Sequence, residues 1–169
     1  MKGTLIIILT LISLSLRSQD LDTSAFFKEI DKHCWYPEIV KAQAILETSY
    51  FTSRLCRECN NYFGMMKFIE YKYQNYNNWR ESVQDIAWWQ YRRKKQMPES
   101  FKSKEEYFAM LDKIYCFEVN YSKRLKLIIN SRKFKKLIKR SENKAINYLK
   151  YNNYENTCNY SKNNKHNSN

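Results

Sequence analysis

The chain has 169 residues, with 30 Lys and Arg against 17 Asp and Glu, a formal charge of +13, and only two glycines and two prolines. That length suits one domain with its own core, and 43% hydrophobic with 16% aromatic residues excludes a disordered chain. So few turn-formers exclude a many-stranded β-sandwich or barrel, and they exclude the glycine-rich loops of dinucleotide- and phosphate-binding folds.

The chain opens Met1-Lys2-Gly3-Thr4 and runs apolar from Leu5 to Leu16. A positive start followed by about a dozen apolar residues reads as a secretory signal peptide over 1–18. The run is too short for a membrane span, which needs roughly 20 residues. An uncleaved anchor is the alternative. No Cys follows the run, which argues against lipoprotein processing. The expectation is export to the periplasm or beyond, with no stable membrane insertion after cleavage. Losing Lys2 and Arg17 leaves 28 basic residues against 17 acidic, a net +11, which asks for an anionic partner or surface without naming one. Gly3 falls in the leader, so Gly64 is the only glycine beyond it.

Cys34, Cys56, Cys59, Cys116 and Cys158 follow the leader, and an exported chain permits disulfides. Their number is odd, so at least one is free or pairs between molecules. Cys56 and Cys59 form C-x-x-C. Zinc needs two more ligands, and the only histidines are His33 and His166. A local disulfide and a pair of thiols both remain open. No metal and no cofactor is expected.

From Leu21 to about Trp35, the residues Leu21, Ala25, Phe26, Ile30 and Cys34 recur at helical spacing. Pro37 suits the first turn of a second helix. Its residues Ile39, Val40, Ala42, Ala44, Ile45 and Leu46 are apolar almost all the way round, so it is expected to be buried as far as Thr48. Residues 52–62 read as a loop. The aromatic-rich stretch 63–76 reads as a small β-hairpin lobe. Asn78 with Glu81 is a capping-box signature for a helix running to about Gln96, ahead of Pro98. Ser103 with Glu106 repeats it for a helix to about Ile114. Asn120 is expected to cap a helix through Leu125 and Ile129. The Lys-rich run 133–140 reads as a solvated helix, and a short helix is expected near 142–150. The domain spans 19–150, followed by an Asn/Lys-rich flexible tail over 151–169. The fold class is mainly α (α+β), a helical body with a small β-hairpin lobe.

Glu47 is the first candidate for chemistry. It lies on a largely buried helix, where an unpaired Glu is rare. In the last turn it also faces the negative end of the helix dipole. Both effects raise a carboxyl pKa, and a protonated carboxyl near neutral pH is what a general acid requires. The bland alternative is a Glu whose head reaches solvent.

The surrounding residues sharpen the choice. Ala42-Gln43-Ala44-Ile45-Leu46-Glu47-Thr48-Ser49-Tyr50-Phe51-Thr52-Ser53 precedes Asn60-Asn61-Tyr62-Phe63-Gly64-Met65. Further on come Tyr73 to Asp85 (Y-Q-N-Y-N-N-W-R-E-S-V-Q-D), Trp89-Gln90, and Tyr115 to Leu125 (Y-C-F-E-V-N-Y-S-K-R-L). In this order the stretches resemble bacterial glucosaminidases of glycoside hydrolase family 73, in a Bacteroidota-like form, over about residues 35–130. The resemblance implies a lysozyme-like fold and an endo-β-N-acetylglucosaminidase acting on peptidoglycan glycan strands as a monomer. It implies that Glu47 is the catalytic acid and that Tyr121 is a catalytic tyrosine in the cleft. Glu70 on the lobe is the nearest positional match to a second carboxylate. A solvated lobe residue is the competing reading of Glu70. A substrate-assisted route through the 2-acetamido group needs no second carboxylate. Asn60, Asn61, Tyr62, Phe63, Gly64 and Tyr76 are the candidate substrate-binding residues; loop structure and lobe packing are their alternatives. The chain departs from the pattern at Tyr62, where Leu is usual, and at Val119, where Pro is common.

Two readings from different classes follow. One is an exported glucosaminidase in the cell wall. The other is a non-catalytic, basic wall- or polyanion-binding protein on the same fold. A lysozyme-type or transglycosylase cut after N-acetylmuramic acid fits the N-N-x-F-G-M segment less well. Nucleic acid is not an expected partner, because no recognition motif accompanies the charge.

Overall fold

Asp22 begins the described fold as a helix cap. Its carboxylate accepts the backbone N–H groups of Ser24 and Ala25, opening α1 at Thr23–His33. The computed structural model describes residues 21–147 except Phe68 and Phe117. The expected signal peptide and flexible tail lie outside the described residues. Tyr36 turns the chain with a φ of 51°, and Pro37 starts α2, Pro37–Glu47. Every residue of α2 from Ile39 to Ile45 is buried, so the helix apolar on all sides is the central one. Lys41 is the charged exception. It escapes an isolated charge by reaching Asp31 at 2.6 Å.

Thr48 ends α2: its hydroxyl donates to the Ala44 carbonyl at 2.6 Å and accepts the Phe51 N–H at 2.8 Å. Ser49, Tyr50 and Phe51 then take positive φ in succession. Ser53 caps a six-residue helix, α3 at Arg54–Cys59, inside the stretch expected to be loop. One and a half turns are too short to display an apolar period. The lobe follows as β1, Met66–Lys67, and β2, Lys72–Tyr73, which pair antiparallel with Met66 opposite Tyr73.

Asn78 caps α4, Trp79–Gln96, through the N–H groups of Arg80 and Glu81. Glu81 returns to the N–H of Asn77 rather than of Asn78, so the box closes one residue early. A 3₁₀ turn at Pro98–Phe101 leads to α5, Lys104–Ile114, capped by Ser103 as expected. Asn120 departs from expectation. It stands at φ 66° and its side chain caps nothing at the start of α6, Tyr121–Asn130. Asp112 of α5 serves instead, accepting the Ser122 N–H at 2.7 Å and its hydroxyl at 2.6 Å. Residues 132–147 form α7, which starts earlier than the expected short helix. Ser24 donates to the Ser141 carbonyl at 2.7 Å, and Lys144 meets Asp22 at 3.0 Å, which binds α7 to the start of α1.

The fold is mainly α with one two-stranded hairpin, a lysozyme-like body and lobe. α2 packs against α1 and α6, and α4 packs against α1. Phe26 is wholly buried and joins Phe51, Tyr62, Phe63 and Trp79 in one aromatic cluster under the lobe. Gln90 is also wholly buried. It accepts the Trp35 N–H at 3.0 Å and donates to the Trp35 carbonyl at 2.9 Å and the Tyr107 hydroxyl at 2.6 Å, clamping α4 to the α1–α2 turn. No disulfide joins Cys34, Cys56, Cys59 and Cys116, so the C-x-x-C pair is two thiols. No helix of the described residues is long and apolar enough to cross a membrane.

The lobe hangs on Asn61. This fully buried amide donates to the carbonyls of Met65 at 2.8 Å and Gln74 at 3.0 Å, and accepts the Met65 N–H at 3.0 Å. Asn61→Ala should therefore cost roughly 2–3 kcal/mol in urea unfolding. Hydrogen exchange at Met65 should accelerate, and unchanged protection there would refute this role for Asn61.

Candidate active site

Glu47 ends the central helix, where three consecutive positive-φ residues prevent another turn from covering it. It opens on a cleft of about 970 Å³ between the lobe and α4. One carboxyl oxygen, Oε1, accepts the Tyr121 hydroxyl at 2.7 Å. The other, Oε2, lies against Gly64, where a Cβ would stand only 3.0 Å away. Gly64 also has φ +64°, so a side chain there would strain the backbone and press on the Glu47 carboxyl.

Burial is the main force on Glu47, and it holds the carboxyl above its ordinary value of 4.5. The Tyr121 hydrogen bond acts next and pulls the other way. Glu118 then raises the value and Arg124 lowers it. Glu118 and Arg124 form an ion pair with each other, which tempers both influences. Gln43, one turn earlier on α2, is wholly buried and its amide completes no hydrogen bond among the described residues. It still approaches the Tyr121 hydroxyl closely enough to favour that oxygen's charged form slightly.

Tyr121 differs from the expected cleft tyrosine. It is 1% exposed and is not part of the cleft lining, and its hydroxyl reaches Glu47 from within the packed body. Besides Tyr73 of the hairpin, the tyrosine that lines the cleft is Tyr115, which the sequence reading quoted but did not select. Its hydroxyl donates to the Phe63 carbonyl at 2.6 Å, and its ring lies edge-on to Trp89 at 5.2 Å. This bond fixes the peptide immediately before Gly64, and so fixes what Glu47 touches.

The Asn pair is occupied internally. Asn60 closes α3 in a left-handed conformation and donates to the Tyr76 carbonyl at 3.0 Å, while Asn61 holds the lobe. Tyr62 and Phe63 are buried in the aromatic cluster. Of the six expected substrate-binding residues, Phe63 and Gly64 line the cleft. Tyr76 donates to Asp85 at 2.5 Å, and burial followed by that carboxylate raises its hydroxyl pKa. Asp85 is a cleft carboxylate that sequence reasoning missed, although it ends the quoted Tyr73–Asp85 stretch. Glu70 lies on the exposed turn of the hairpin, 3.6 Å from Lys67, and lines the same cleft as Glu47.

The arrangement sets one buried carboxyl, its pKa raised above the ordinary value, against an open groove whose lining holds two further carboxylates. Residues 23–134 match the glucosaminidase family described as mannosyl-glycoprotein endo-beta-N-acetylglucosaminidase. The chain belongs to that family of glycoside hydrolases. No curated protein and no solved structure matches it.

Gly64→Val should cost about 2 kcal/mol or more through strained backbone, and should push Glu47 aside. The check is chemical denaturation together with an NMR titration of the Glu47 carboxyl. Unchanged values in both would count against the contact. A second expectation concerns pH. Folding raises the Glu47 pKa, so the native state holds that proton more tightly than the unfolded chain. The stability from this group is complete below pH 4.5 and is lost as pH rises through the native value. Glu47→Gln removes the penalty of the buried charge. It should raise the melting temperature at pH 7 and leave it nearly unchanged at pH 4; the reverse order would show that burial does not dominate.

Proposed function

We propose that the chain is an exported peptidoglycan hydrolase that cleaves the β-1,4 bond between N-acetylglucosamine and N-acetylmuramic acid. The observation that supports this reading is the buried Glu47 carboxyl, held at the cleft between the Tyr121 hydroxyl and Gly64. A carboxyl with a raised pKa remains a proton donor closer to neutral pH than an exposed one.

In this reading Glu47 gives its proton to the glycosidic oxygen as the bond to C1 breaks. The charge that develops on the sugar is met by water or by the oxygen of its own 2-acetamido group. Once Glu47 becomes a carboxylate, the Tyr121 hydroxyl donates to Oε1. A hydrogen bond to an ionised acceptor is roughly twice as strong as a neutral one, so Tyr121 favours the state formed by proton transfer. On the acetamido route Glu47 then takes a proton from the water that opens the cyclic intermediate, and where water attacks C1 directly that proton goes to a second carboxylate. Glu70 is the proposed second carboxylate, placed on the lobe across the cleft mouth. Asp85 is already tied to Tyr76, which suits it to orienting substrate. No cofactor takes part.

The family description names an endo-acting N-acetylglucosaminidase of mannosyl-glycoprotein, and the proposed reaction likewise acts at N-acetylglucosamine. The basic charge and the resemblance to bacterial wall enzymes favour the wall polymer. The test is digestion of purified sacculi by wild type and Glu47→Gln, with mass spectrometry of the products. New reducing ends on N-acetylglucosamine are expected, with a loss of about 10²-fold or more in the variant. Equal rates would remove Glu47 from the chemistry. Reducing ends on N-acetylmuramic acid would overturn the bond assignment, and tight binding without cleavage would favour the non-catalytic binder.

A further inference from the structure

The wall of the cleft formed by α4 has a feature that the hydrolytic reading does not use. Asp85, Trp89, Arg92, Arg93 and Gln96 all line the cleft, so that one long face of α4 passes from a carboxylate through an aromatic ring to two guanidinium groups. Each arginine lies over the tryptophan one turn before it. Arg92 stands 6.0 Å from the Trp88 ring centre, and Arg93 stands 5.6 Å from that of Trp89. Neither has a carboxylate partner among the described residues, whose ion pairs all involve other cations.

Cations near a helix C-terminus are commonly placed for the dipole alone, and Lys94 and Lys95 beside them meet that need. The two tryptophans add a second contact. A guanidinium held near an indole by cation–π attraction loses part of its freedom while its N–H donors remain available. Arg93 spends one donor on the Gln96 side-chain oxygen at 3.0 Å, which restrains it further. Two restrained forks with unspent donors on a groove wall are suited to paired acceptor oxygens, and carboxylates fit them bidentately. Trp88 also stacks on Tyr91 at 5.2 Å, so the ring supporting Arg92 is itself braced.

We propose that Arg92 and Arg93 form an anionic subsite that binds carboxylates carried by the glycan, making the enzyme select the acidic, peptide-substituted polymer over neutral N-acetylglucosamine chains. This rests on the hydrolase reading above. The carboxylates come either from the peptide attached to muramic acid or, where peptides are removed, from the lactyl group left behind.

The experiment measures binding in the Glu47→Gln background, so that no glycan is cut. Three probes are compared: muramyl-peptide glycan fragments, the same fragments stripped of peptide by an amidase, and N-acetylglucosamine hexamer. Replacing both arginines by Gln should weaken binding of the first probe about tenfold and change the hexamer by less than about twofold. Binding of the first probe should also lose most of its salt dependence. A comparable loss on the stripped fragments shows that either carboxylate is taken, a loss on the first probe alone assigns the peptide, and a loss on the stripped fragments alone assigns the lactyl group and overturns the preference for peptide-substituted glycan. Equal losses on all three probes, or none on any, would overturn the subsite. If the single Glu47→Gln protein binds no glycan at all, the hydrolase reading fails first, and that result is distinct from a subsite failure.

Discussion

The position of the Glu47 carboxyl is the constraint on which the rest of this fold depends. One of its oxygens faces a buried hydroxyl and the other faces a glycine, and neither contact survives a shift of an ångström. Both neighbours come from elements distant in sequence. Tyr121 is placed by α6, which packs against α2 and takes its N-terminal partner from Asp112 on α5. Gly64 is placed by a chain of bonds through Asn61, Met65 and the Tyr115 hydroxyl. The burial of α2 has the same purpose at longer range. A helix packed on all sides cannot slide or roll, so its last residue enters the cleft at a fixed angle.

Burial and hydrogen bonding act on this carboxyl in opposite directions. If desolvation acted alone, the acid would be difficult to ionise after giving up its proton. If the hydrogen bond acted alone, it would be ionised before substrate arrived. Tyr121 serves both needs because a phenol can accept from the neutral acid or donate to its conjugate base. Gln43 stands behind it with an amide that offers either a donor or an acceptor. A buried amide with no other partner is costly unless its neighbour reverses polarity, which is what a carboxyl that cycles its proton makes Tyr121 do.

The sequence displays the frame of this arrangement more readily than its joints. The apolar circumference of α2 exposes its burial, and Glu47 stands out because it is the acid at the end of such a helix. Ser103 and Asn78 reveal helix starts because caps act within three residues. Tyr115 is silent and Asn61 shows only as a candidate without its partners, since each binds a backbone carbonyl or amide and any residue type supplies those. Asn120 misled for the related reason that a left-handed turn and a side-chain cap favour the same amino acid. In α7 the lysines dominate the pattern. Phe134, Leu137 and Ile138 recur at helical spacing beneath them, where Phe134 is buried and the other two pack against the core.

The net charge is informative only through where it is placed. Cations that attract an acidic polymer also favour ionised carboxyls, so a basic cleft threatens its own acid. Among the described residues Arg124 is the cation that chiefly draws the Glu47 pKa down, and Glu118 engages it. Arg92 and Arg93 line the same cleft but are not among the main influences on Glu47. Attraction of an anion through solvent operates over about 8–10 Å, whereas strong pKa perturbation needs an approach of roughly 4–6 Å. A groove long enough to separate those two ranges can gather an anionic strand at one part of its wall and keep an acid of raised pKa at another. α4 gives its wall that length, with Asp85 and Gln96 three turns apart along it.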